Sequence, residues 1–108
     1  MSEFRTLLYR KGVWRDLGIL PGDSKIRPAA INNSDWVVGT SEGPGEAQRP
    51  FLYVDGKLYD LNDLIPPNSG WTLITASDVN NRGEITAYGS HQGKQTGLLL
   101  QPVKHGHR

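Results

Sequence analysis

The chain has no cysteine among its 108 residues, which removes disulfides, thiolate nucleophiles and Cys-based zinc sites at once. It also has almost no charge imbalance, since twelve Lys and Arg stand against eleven Asp and Glu, for a formal net charge of +1. So weak a field cannot hold nucleic acid or an anionic membrane nonspecifically, and neither is expected as a partner. Long apolar runs are missing too, and none approaches the roughly 20 residues of a membrane-crossing helix. The opening MSEFRTLLYRKG places Glu3 ahead of a short apolar cluster at Leu7 to Tyr9, unlike the apolar stretch of a secretion signal. As written, the chain reads as soluble and cytoplasmic, with no export signal of its own.

The usual carriers of chemistry are equally scarce. There is no G-x-S-x-G, no H-E-x-x-H and no phosphate-binding glycine loop. A glycosidase needs two carboxylates facing each other across a cleft, but Glu42 and Glu46 share the loop SEGPGEAQ, and no spacing pairs either of them, or Glu84, with a partner. His91 sits in the polar, Gly-containing SHQGKQ of a hairpin loop, and His105 and His107 form HGH in a flexible tail, 103–108, with no third ligand nearby. DVNNRGE at 78–84 has the outline of a calcium loop, yet Arg82 stands where an oxygen ligand belongs and Ala30 replaces Asp78 in the related segment. The expectation is a non-catalytic protein without metal or cofactor.

What is abundant is punctuation. Thirteen glycines and seven prolines leave little room for long helices and favour short strands joined by tight turns, an all-β chain. The strands come in repeated phrases. TLLYRKGVWRDLG at 6–18 aligns with PFLYVDGKLYDLN at 50–62, offset by 44, and INNSDWVVG at 31–39 aligns with VNNRGEITA at 79–87, offset by 48. The four additional residues fall in the loop where ILPGDSKI becomes the longer DLIPPNSGWTLI, and GLLLQP at 97–102 begins a third copy, truncated after its first strand. Repeat one therefore covers about residues 6–48, repeat two about 50–95 and the third strand 96–102, all in one domain spanning 1–108.

Each unit reads as four short strands in two hairpins. The first hairpin turns at Lys11-Gly12 or Asp55-Gly56, where glycine accepts positive φ. The second turns at the asparagine phrase, because Asn side chains bond to backbone two residues on and tolerate the left-handed region. Asn32, Asn33 and Asp35 in one copy, and Asn80, Asn81 and Gly83 in the other, are read as structural turn residues. Asp35 and Gly83 both suit φ > 0. Two antiparallel four-stranded units of this kind predict a partial β-propeller or a sandwich-like array.

The fixed phrases DLG and DLN, INN and VNN, VVGTS, the FLY strand and LNDLIPPNSGWTLITASDVNNRGEITAYGSHQGKQTGLLLQP together resemble the HAF repeat family of bacterial proteins, and in particular the closing segment of its arrays. The likeness covers about residues 5–103. It departs at the family's His-Ala-Phe, which is Arg49-Pro50-Phe51 here and Thr96-Gly97-Leu98 in the last copy. The resemblance implies tandem blade-like units and relatives that are exported, and it implies no particular activity.

Repeat units cannot bury their faces alone, and a propeller closes with four to eight blades. A chain with about two is therefore expected to serve as a structural or protein-interaction module that associates with itself or with another protein. The alternative is a carbohydrate-binding module that stacks sugars on Trp14, Trp36 and Trp71.

Overall fold

The computed structural model describes residues 6–102. The tail 103–108, with His105 and His107, lies outside the described residues. Among the described residues nine strands form in chain order: β1 (Leu7–Arg10), β2 (Val13–Asp16), β3 (Lys25–Ile31), β4 (Val37–Glu42), β5 (Gln48–Val54), β6 (Lys57–Asp60), β7 (Trp71–Val79), β8 (Ile85–His91) and β9 (Lys94–Leu100). Two one-turn 3-10 helices, Pro44–Glu46 and Leu61–Asp63, interrupt the connections. The protein is all-β and every strand pairing is antiparallel.

The strands group as two, four and three, in the orders β1-β2, β3-β4-β5-β6 and β7-β8-β9. Two sheets of four would have followed if each sequence unit closed its own sheet. Instead the middle sheet takes its β3–β4 half from the asparagine phrase of repeat one and its β5–β6 half from the FLY phrase of repeat two. The connection between these halves, SEGPGEAQ, closes as a short loop in which Gly43 donates its N–H to the Ala47 carbonyl (2.9 Å), so the second hairpin of one unit must pair with the first hairpin of the next. The sheets are out of phase with the repeats by half a unit.

Three hairpins use the same two-residue turn. Lys11-Gly12, Asp55-Gly56 and Gln92-Gly93 place both central residues at positive φ, near 53° and 80° in each case, the backbone that follows the right-handed twist of the flanking strands. The four additional residues of the second unit do not all stay in a loop. β7 has nine residues against seven in β3, and its register on β8 slips twice, at Leu73/Thr75 and Ala76/Asp78, where β3 slips once at Pro28/Ala30. Two of the four enter the strand: one lengthens the ladder by a pair, and a second bulge absorbs the other.

The middle sheet is covered on both faces. Val38 and Leu52 pack into a cluster with Leu61 of the following 3-10 turn and with Leu73, Val79 and Ile85 of the third sheet, while Val37, Phe51 and Tyr53, with Ile26 of the same sheet, pack on Leu17 and Leu20 on the other side. Successive strand residues point to opposite faces, so the run Val37-Val38 is buried at both positions, with only Gly39 able to follow. A Cβ at Gly39 would lie 2.0 Å from the Arg27 carbonyl oxygen and 2.9 Å from the Phe51 ring. β8, by contrast, alternates buried and exposed from Ile85 to Tyr88, as a strand covered on one face should.

Candidate functional site

The two asparagine turns are superimposable in their bonding. Asn32 Oδ1 accepts the backbone N–H groups of Ser34 and Trp36, both at 2.9 Å, and Asn80 Oδ1 accepts those of Arg82 and Glu84, both at 3.0 Å. Asp35 (φ 64°) and Gly83 (φ 81°) occupy the left-handed place of each turn. These oxygens are saturated by N–H donors, and among the described residues no group of three or more His, Asp or Glu converges as a metal site would.

The turns are also bonded to each other. Asn32 Nδ2 donates to the Asn80 carbonyl (2.9 Å), and Asn81 Oδ1 accepts the Asn33 N–H (2.7 Å). Trp36 lies over the second turn so closely that a Cβ on Gly83 would come within 2.8 Å of its ring. Asn33 and Asn81 thus act in the latch between units, and Trp36 is packed rather than free. At the far turn each of these groups meets something different. Glu84 stands in the place of Trp36; its Oε1 accepts Asn80 Nδ2 at 2.7 Å and its Oε2 accepts Gln101 Nε2 at 2.9 Å. Those two bonds, aided by the Arg82 guanidinium 3.7 Å away, hold the Glu84 carboxyl below its ordinary pKa against the opposing effect of burial.

Polar contacts invisible in the linear motifs hold the middle sheet to its neighbours. Arg49 donates to Asp23 (3.1 Å), to Asp60 (3.5 Å) and to the Pro21 carbonyl (2.7 Å). Ser41 Oγ donates to the same Asp23 carboxylate. Asn62 Nδ2 donates to the Leu73 carbonyl (2.9 Å) while its Oδ1 accepts the Leu73 N–H (2.7 Å), so one side chain imitates a strand partner. These carboxylates are engaged in charge pairing between strands, and Glu42 likewise meets Arg27 (3.1 Å) and Lys25 (3.5 Å). Glu46 lies in the 3-10 turn.

The three tryptophans stand apart, Trp14 on the first sheet, Trp36 in the turn before β4 and Trp71 on the third sheet. Trp14 on β2 is 64% exposed and touches Tyr9 across the hairpin, with ring centroids 4.7 Å apart. Trp36 is partly buried at the latch. Trp71 opens β7 and lies against the His91 ring at 4.8 Å; His91, expected in the hairpin loop, is instead the last residue of β8, paired with Trp71 and Lys94, and only Gln92 and Gly93 form the turn.

The sharpest feature is the difference between the two ends. At the β1–β2 end, positions whose repeat counterparts are buried lie open: Leu7 is 47% exposed against 0% for Phe51, Tyr9 57% against 6% for Tyr53, and Ile31 47% against 6% for Val79. An apolar groove runs between β1 and β3, lined by Leu7, Leu8, Leu17, Pro28 and Ile31. It lies where two further strands would stand if the first sheet had four like the middle one. At the β7–β9 end the outward face is polar instead. Thr86 replaces Val38, bonded to Ser77 Oγ (3.0 Å), and Tyr88 donates to Gln95 (3.0 Å), leaving Leu99 as the exposed aliphatic residue. No helix among the described residues is long and apolar enough to cross a membrane. Comparison with known protein families, curated proteins and solved structures finds no match.

Proposed function

We propose that this chain is a non-catalytic β-repeat interaction module, a run of blade-like units of the HAF type, that works by associating with copies of itself. One observation carries the reading: Leu7, Tyr9 and Ile31 stand about half exposed at one end, beside the 64% exposed Trp14, while Phe51, Tyr53 and Val79 at the matching places are buried. Apolar surface of that kind on an isolated chain marks an interaction site, and β1, which among the described residues is paired on one edge, offers a strand edge beside it. The carboxylates that a hydrolase would use are instead tied to Arg49, Arg27, Asn80 and Gln101. The test is the mass in solution by light scattering over a range of concentrations. Association to a defined multiple of 11.9 kDa is expected, and a monomer at every concentration would sink the proposal.

A second reading has one observation in its favour. The Tyr9–Trp14 pair is an exposed aromatic platform, and such rings stack on the apolar faces of sugars. Saturable quenching of tryptophan fluorescence by an oligosaccharide, abolished in Trp14→Ala, would establish it; an unchanged spectrum across a glycan panel would remove it.

A further inference from the structure

Resting on that reading of self-association, we propose that the chain pairs with a single second copy, the β1–β2 hairpin of each copy lying in the groove beside β1 and β3 of the other. The middle sheet has four strands and the first has two, and an isolated two-stranded hairpin is at best marginally stable in water. The vacant place is two strands wide. The hairpin that would fill it is on the same molecule: Leu7, Tyr9 and Trp14 share its outward face, since cross-strand partners such as Tyr9 and Trp14 point to one side. That face is apolar and so is the groove, whose floor includes Pro28 and Ile31. Each copy thus carries both halves of the contact at one end, which is the requirement for an isologous, closed pair.

Two further features select this pairing over a head-to-tail chain of copies. The β7–β9 end is finished. Glu84 takes the Asn80 amide that would otherwise reach a following turn as Asn32 reaches Asn80, and Thr86, Ser77, Tyr88 and Gln95 satisfy one another on the outward face. Terminal repeats with a polar outer face stop an array. The open end, for its part, does not match another asparagine-turn unit. A preceding unit would lay its tryptophan over position 35 as Trp36 lies over Gly83, but Asp35 fills that place with a carboxylate 2.9 Å from Arg10 Nη1. With Asp35 in the place a preceding tryptophan would cover and the β7–β9 face satisfied within itself, the partner's hairpin is the occupant the open groove fits.

The size is adequate. Tyr9, Trp14, Leu7 and Ile31, each about half exposed, present on the order of 400 Å² of apolar side chain, about half of the roughly 800 Å² per partner in a standard interface, before any backbone or polar rim is counted.

The test uses the full chain and light scattering. The native protein is expected at twice 11.9 kDa. Tyr9→Lys and Ile31→Glu, both at exposed positions that folding tolerates, should each weaken the pair by on the order of 30-fold or more and give the single-chain mass. Mixing the two variants should restore the double mass, because in the mixed pair the introduced lysine faces the introduced glutamate while the other contact is native. Leu99→Glu, on the finished face, should leave the double mass unchanged. A native monomer would overturn the self-association itself. A native oligomer that Leu99→Glu dissociates, that grows beyond two chains, or that mixing fails to rescue would leave self-association standing and overturn this pairing.

Discussion

Phe51 and Leu7 occupy the same place in two hairpins of one design, yet the middle sheet encloses Phe51 completely and the first sheet leaves Leu7 half open. The two hairpins share their turn, their register and their residue pattern, so the contrast comes from neighbours alone. β5 has β4 beside it, whereas β1 has no second neighbour among the described residues. Burial in a repeat protein is therefore a property of position in the array, and identical phrases acquire opposite roles: at the centre they hold the core, at the end they form a surface.

The strongest way to break the comparison is to truncate the two residues alike. Phe51→Ala removes a ring packed on Gly39 with no solvent contact and should cost about 3–5 kcal/mol; Leu7→Ala, measured where the chain is monomeric, should cost under about 1 kcal/mol. Urea denaturation of both variants checks this, and equal losses would show that the first hairpin is as well packed as the second. Smaller effects should separate the two turns. Asn32→Ala leaves the N–H groups of Ser34 and Trp36 without their acceptor and removes the bond to the Asn80 carbonyl, for a loss of about 2–3 kcal/mol, against about 1 kcal/mol for the more exposed Asn80→Ala. Gly83→Ala meets both a left-handed backbone and the Trp36 ring, and should cost about 2 kcal/mol. Asp35→Gly relaxes the same backbone and gives up an exposed ion pair with Arg10, so the net change should stay below about 1 kcal/mol.

Much of this fold was legible because turn chemistry repeats. Lys11-Gly12 and Asp55-Gly56 announce hairpins, and the paired asparagines announce a second kind of turn, each through a local backbone requirement. The phase of the sheets was not legible, because nothing in INNSDWVVG states that its strand will pair with the next unit's FLY. One signal was available: β4 reads Val37-Val38-Gly39, apolar without alternation, while β8 reads Ile85-Thr86-Ala87-Tyr88, alternating. That difference marks one strand as covered on both faces and the other on one, and hence distinguishes the centre from the end. The contacts of Arg49 and Asn62 left no such trace, since a long-range charge pair or amide bridge depends on which loops the fold brings together. Trp14, Trp36 and Trp71 look alike as aromatics in a row, but their surroundings, a neighbouring ring, a glycine turn and a histidine, are set only in three dimensions.

The finest separation of the two turns lies in their response to acid. Trp36 closes the first turn with a side chain that cannot titrate, and Glu84 closes the second with one that does. Hydrogen bonds from Asn80 and Gln101, with Arg82 nearby, hold the Glu84 carboxyl below its ordinary value of 4.5. A carboxyl depressed in the folded state stabilises the fold fully above the unfolded value, and that contribution disappears as pH falls through the folded one. The stability difference between the native chain and Glu84→Gln should accordingly be constant above about pH 5.5, narrow as pH drops below 4.5, and vanish in stronger acid apart from a fixed offset. Paired urea titrations at pH 7, 5 and 3 measure it, and the Asn32 turn supplies the internal control. Asn32→Ala should lower stability by the same amount at all three values, because none of its bonds engages a titrating group. A Glu84→Gln difference that did not change with pH would mean that the carboxylate's charge is irrelevant to closing the second turn, and that its amide-accepting oxygen alone distinguishes the finished end from the open one.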